Sequence, residues 1–234
     1  MRRFLSLLIN TLLSLVALTL CARLLLRFDA HGAPVGLSPD GGEYLKYFTV
    51  LSNLLAGAAS ALYVLGLQLK LCGVLRRVPG WIRRLKYAAA CALGLTFTMV
   101  LLIIGPRSGF QGAYEGPNLW FHLILPIAAL LDFALLDREG RITLRQTLLA
   151  LPLPALYGAA YLGNLMVNGY GGRTHPNDWY DFAAGGPAGV PLTLLTMLAL
   201  GWGVAALLRL PRRKPAAPAG GERDDARFQV KSLQ

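Results

Sequence analysis

Two short strings carry the polar groups that could do chemistry. YFTVLSN, at Tyr47 to Asn53, places Thr49 four residues before Asn53, and NLWFH places Asn118 four residues before His122. On a helix each pair shares one face. A hydroxyl beside a neutral imidazole is a nucleophile beside its general base, because the ring can take the hydroxyl proton as attack on a carbonyl begins. Asn53 and Asn118, one turn from those residues, either orient the imidazole or donate to an oxyanion, or simply hydrogen-bond between helices. Thr alone would be weaker evidence, since Thr in a membrane helix often bonds back to its own helix.

The elements that must position these groups are long and apolar. Six runs follow one another: Phe4 to Leu26, Tyr47 to Leu69, Leu85 to Gly105, Leu119 to Leu136, Thr147 to Val167 and Val190 to Leu208. Each is long enough to cross roughly 30 Å of hydrocarbon as a helix. With 55% hydrophobic and only 15% charged residues over 234 positions, and a mean hydropathy of +0.49, the chain reads as an all-α polytopic membrane protein with six transmembrane helices. The membrane-embedded domain is expected over residues 1 to 210, with a disordered tail over 211 to 234, whose PRRKPAAPAGGERDD lacks an apolar face. The basic start MRR is that of a signal peptide, but the apolar span behind it is too long for one, so a retained first helix is expected.

The net charge of +11 would suggest nucleic acid in a soluble protein. Here 18 of the 23 Lys and Arg, with Lys86 counted among the loop charges, fall at or beyond the ends of apolar runs on one side, which points to both termini in the cytoplasm and an inner-membrane location. No basic patch with interleaved aromatics argues for nucleic acid. Cys21, Cys72 and Cys91 are not spaced for a bridge or a metal, and neither G-x-S-x-G, H-E-x-x-H, a P-loop nor a dinucleotide fingerprint occurs. No cofactor is implied; the expected partners are membrane lipids and an acyl-chain lipid substrate.

Depth follows from chain direction. Thr49 lies three residues into its run from Lys46, and His122 three beyond Leu119, so both should sit about 4 to 5 Å inside the outer boundary and can meet if their helices are neighbours. Pro126, four residues after His122, cannot donate to the His122 carbonyl, which should bend the helix and free that acceptor. Arg23, Tyr161, Asn164, Thr96 and Thr98 fall at the same outer level. Arg23 either snorkels to headgroups or contacts an anionic group of a substrate, with Tyr161 and Asn164 as further candidates for binding it. Asp132, roughly 15 Å deeper than His122, is too far to complete a triad and is expected to pair with a group such as Asn10. The outer loops are rich in Gly, Pro and aromatics; Trp179, Tyr180 and Tyr170 suit an interfacial belt or a lid, which His175 could join, and His31 is expected to be solvated.

YFTVLSN, HLILPIAALLD at His122 to Asp132, and DWYDF at Asp178 to Phe182 together resemble the bacterial branch of the androgen-induced-gene and androgen-dependent TFPI-regulating protein family. The resemblance spans about residues 1 to 210, although the last outer loop lacks the repeated Tyr-Pro pattern of bacterial members. It implies a six-helix membrane protein and a threonine hydrolase that cleaves fatty acid esters of hydroxy fatty acids. Thr49 matches the nucleophile and His122 its partner. The alternative is a transporter or lipid-binding protein without catalysis, in which the same polar cluster holds a ligand; Pro126 and the Pro152/Pro154 pair break the fourth and fifth runs without a matching pair in the first half.

Overall fold

The computed structural model describes residues 1–29, 32, 34–38, 40–137, 140–171, 177–183, 186 and 188–212. Six helices are long and apolar enough to cross a membrane: α1 (Arg2–Leu25), α2 (Phe48–Leu71), α3 (Gly80–Ser108), α4 (Pro117–Leu136), α5 (Arg145–Asn168) and α6 (Gly189–Arg209). They match the six apolar runs, and among the described residues the fold is all-α apart from one small antiparallel hairpin, Leu26–Phe28 with Pro34–Leu37, in the first connection. Short helices at Gly41–Tyr44 and Phe110–Ala113 break up the Gly-rich loops. His31, Arg173, His175 and the tail from 213 onward lie outside the described residues. Leu210–Arg212 form one tight turn.

α3 is the most enclosed span, packed by α2 on one side and by α4 and α6 on others, while α1 runs along α2 and also meets α4. Close approach needs small residues. A Cβ on Gly57 of α2 would fall 2.8 Å from Leu18 of α1, and one on Gly94 of α3 would fall 2.6 Å from Val204 of α6. α3 starts five residues before its apolar run because Pro79 sets the N-terminal boundary and Arg83 and Arg84 can ride the first turn.

Two prolines leave their mark inside the spans. Pro126 cannot donate to the His122 carbonyl, and the helix answers by widening: over Trp120–Ile124 the bonding shifts to five residues, with Leu125 N–H donating to the Trp120 carbonyl. Pro106 is matched by the same change over Val100–Ile104.

Lys86, counted from sequence among the loop charges, is drawn into the bundle. Its ammonium lies 2.6 Å from Asp132 and 3.2 Å from Asp137, over the ring of Tyr63 at 3.6 Å. Asn10 donates to Asp132 at 2.8 Å, as expected, and ties α1 to the network. Removing the cation would take the ammonium from between two buried carboxylates. Lys86→Met should therefore cost about 3 to 5 kcal/mol in thermal unfolding, and K86M/D132N/D137N should recover much of that loss.

Candidate functional site

Thr49 is the second residue of α2, just after Tyr47, whose extended backbone begins the helix. Its hydroxyl therefore sits at a helix N-terminus, where backbone N–H groups have no partner within the helix and the end carries partial positive charge. His122 occupies the middle of the widened turn of α4. α2 touches the widened turn of α4, and the two side chains meet: Thr49 Oγ1 lies 3.2 Å from His122 Nε2.

The tautomer follows from the other ring nitrogen. His122 Nδ1 lies 2.7 Å from the carbonyl oxygen of Ala113 in the α3–α4 loop. A carbonyl only accepts, so Nδ1 carries the proton and Nε2 offers its lone pair to the Thr49 hydroxyl. The carbonyl fills the orienting role that a carboxylate has in other hydroxyl–imidazole pairs, and it would steady the ring once positive.

Around the pair is a cavity of about 410 Å³, walled by Leu24, Tyr44, Val50 and Phe121 and closed at its polar edge by Thr49, His122 and Tyr180. That size and lining suit an acyl chain presented to a few polar groups. Thr49 and His122 are each only partly buried, so water has access.

Tyr180 is the group that sequence reasoning saw only as part of a belt or lid. Its hydroxyl accepts the Phe48 N–H at 3.1 Å. Burial of that hydroxyl, opposed by its contacts with the Thr49 hydroxyl and with the Phe48 and Thr49 backbone, pushes its pKa up to about 12. It stays a neutral phenol through the physiological range, able to act as a hydrogen-bond donor at the cavity edge.

The loop that delivers Tyr180 is pinned to α5. Asp178 accepts the backbone N–H groups of Phe182 at 3.0 Å and Ala183 at 2.8 Å, and the Tyr161 hydroxyl donates to the same carboxylate. Asn164 donates to the Asn177 carbonyl at 3.2 Å, and Trp179 donates to the Tyr157 hydroxyl at 3.0 Å. Tyr180 itself stacks on Phe182 at 5.1 Å and meets Tyr47 edge-on at 5.8 Å. Asp181, next in sequence, is the one non-glycine among the described residues with a positive φ, at 54°. Strain of this sort persists only where the surroundings over-determine the backbone.

The remaining sequence candidates separate by role. Asn53 is fully buried, and its amide donates to the Thr49 carbonyl at 2.8 Å and the Phe121 carbonyl at 3.4 Å. It locks α2 to α4 behind the pair, with its donors committed away from the cavity. Ser52 bonds the same Thr49 carbonyl at 3.0 Å and Thr96 at 2.8 Å. Asn118 lines the cavity and donates to the Gly112 carbonyl at 3.0 Å, which steadies the loop that carries Ala113. Tyr161 and Asn164 stand one layer behind as loop anchors, and Arg23 is exposed outside the cavity. Thr98 bonds back to the Gly94 carbonyl at 2.7 Å, the ordinary fate of Thr in a helix.

Comparison with protein-family models, with curated proteins and with solved structures finds no match. What the site can do follows from its own geometry: an oriented imidazole, a hydroxyl on its lone pair, a phenol donor beside that hydroxyl, and an apolar cavity ending at all three. Among the described residues no three His, Cys, Asp or Glu side chains come together to hold a metal.

Proposed function

We propose that this chain is an intramembrane hydrolase of lipid esters, with Thr49 as nucleophile and His122 as general base. The observation that carries the reading is the 3.2 Å approach of Thr49 Oγ1 to the unprotonated nitrogen of an imidazole fixed by the Ala113 carbonyl. The resemblance of YFTVLSN, HLILPIAALLD and DWYDF to the six-helix threonine hydrolases supports it, and makes fatty acid esters of hydroxy fatty acids the first substrates to assay.

In this reading the acyl chain enters the cavity and Thr49 Oγ1 attacks the ester carbonyl carbon, while its proton passes to His122 Nε2. The carbonyl oxygen becomes an oxyanion. Tyr180, whose own oxygen is bonded to the Phe48 N–H, donates a hydrogen bond to that charge while keeping its proton, and the positive end of α2 adds to the stabilisation. Collapse breaks the bond to the alkoxy oxygen, which leaves with the proton from His122. A water then gives its proton to His122 and attacks the acyl-threonine, releasing the fatty acid and restoring Thr49.

The excess of Lys and Arg on one set of loops sets the orientation in this reading: both termini in the cytoplasm, and the Thr49 end of the bundle at the outer side of the inner membrane. The purified chain in proteoliposomes is expected to release free fatty acid from ester lipids such as these. Specific binding or uptake of the same lipids with the ester left intact would overturn the proposal in favour of a carrier.

A further inference from the structure

At the end of the bundle away from Thr49, a second cavity of about 340 Å³ opens where α3 begins and the α4–α5 connection returns. Arg83 and Arg84 of α3 and Arg141 of the connection line it, together with Gly80, Gly140 and Gln146. It shares no residue with the Thr49 cavity.

A guanidinium keeps its charge at any pH the protein meets, so three fixed cations surround one space. Among the described residues no hydrogen bond or ion pair engages any of the three; Asp132 and Asp137, on the neighbouring stretch of α4 and just beyond it, are bound to Lys86 instead. Arg83 is held rather than swinging in solvent. Its Nε is closed off from water without a partner, and its Nη1 lies so near Gly140 that a Cβ there would sit 3.0 Å away; Gly140 itself has φ +84°. α3 begins at Gly80 with no side-chain cap, so the free N–H groups and partial positive charge of a long helix add to the same wall.

The preference of membrane proteins for basic residues on one side accounts for Arg76 and Arg77, which point into solvent from the α2–α3 loop. It does not account for three guanidinium groups without a partner lining one open cavity, whose mutual repulsion a bound anion would relieve. The planar fork of Arg matches the oxygens of a phosphate. Trp81, exposed on the same first turn, is a residue type that prefers headgroup depth. We infer that this cavity binds a phosphate-bearing anion, supplied either by the headgroup of an anionic phospholipid or by a soluble phosphate ester.

The test uses the full chain in phosphatidylcholine nanodiscs, with phosphatidylglycerol added in one arm and inorganic pyrophosphate in the other, read by native mass spectrometry and thermal unfolding. Arg84 and Arg141 are exposed, so R84Q/R141Q should fold; R76Q/R77Q removes the same charge outside the cavity. Binding in the first arm assigns a lipid and binding in the second alone assigns a soluble phosphate. In whichever arm responds, R84Q/R141Q should bind about thirtyfold more weakly and lose the rise in Tm, while R76Q/R77Q keeps both. No binding in either arm, undiminished binding by R84Q/R141Q, or an equal loss in R76Q/R77Q would overturn the assignment.

Discussion

Thr49→Ala is expected to lower ester turnover by about a thousandfold or more, because the covalent route disappears and only binding and charge stabilisation remain. His122→Ala should fall to a similar level, and the double variant should be little worse than either, since the two groups act as one unit. Stability should barely move in T49A. The Thr49 side chain is partly exposed and its backbone carbonyl, which Asn53 and Ser52 bond, is untouched by the change. Equal Tm with collapsed turnover in a fatty-acid release assay is the combined result to look for. If T49A keeps its rate, the nucleophile lies elsewhere.

The second large effect is expected at a residue outside the two helices. Tyr180→Phe keeps the ring packed against Phe182 and Tyr47 and removes only the hydroxyl. Loss of one oxyanion donor typically costs about a hundredfold or more in kcat. KM should change little, because the acyl chain is held by the apolar wall of Leu24, Val50 and Phe121. A tyrosine that only covered the cavity would show the reverse, a raised KM with kcat kept. The phenol's pKa, pushed up to about 12, also means that its contribution should persist across the neutral range and be lost only as strongly alkaline pH removes its proton.

Much of the architecture could be read in the chain. The spans were legible because twenty apolar residues in a row have few other uses, and the Thr49–His122 encounter followed from equal depth on two helices of the same direction. The pairing of Asp132 with Asn10 was legible for the same reason. Lys86 was not: a basic residue at the edge of an apolar run looks like a loop charge until its carboxylates, 46 and 51 residues away, are brought to it. Nor could the Ala113 carbonyl be foreseen, since a backbone acceptor has no side-chain signature. Tyr161 and Asn164 were placed at the right level and given the wrong neighbour, because depth does not say whether a side chain meets the cavity or the loop that closes it. Tyr180 had a signal in the aromatic DWYDF, but only the returning loop brings its hydroxyl to the first amide of α2.

In the proposed reaction His122 makes the Thr49 hydroxyl nucleophilic. This is tested most directly by treating the membrane-embedded protein with a fluorophosphonate and locating the adduct by peptide mass spectrometry. A phosphonyl group on Thr49, formed as fluoride leaves, is the expected adduct, and it should be absent in the His122→Ala variant. An adduct on Ser52, Ser60 or another hydroxyl while Thr49 stays free, or equal labelling of Thr49 without the imidazole, would contradict it.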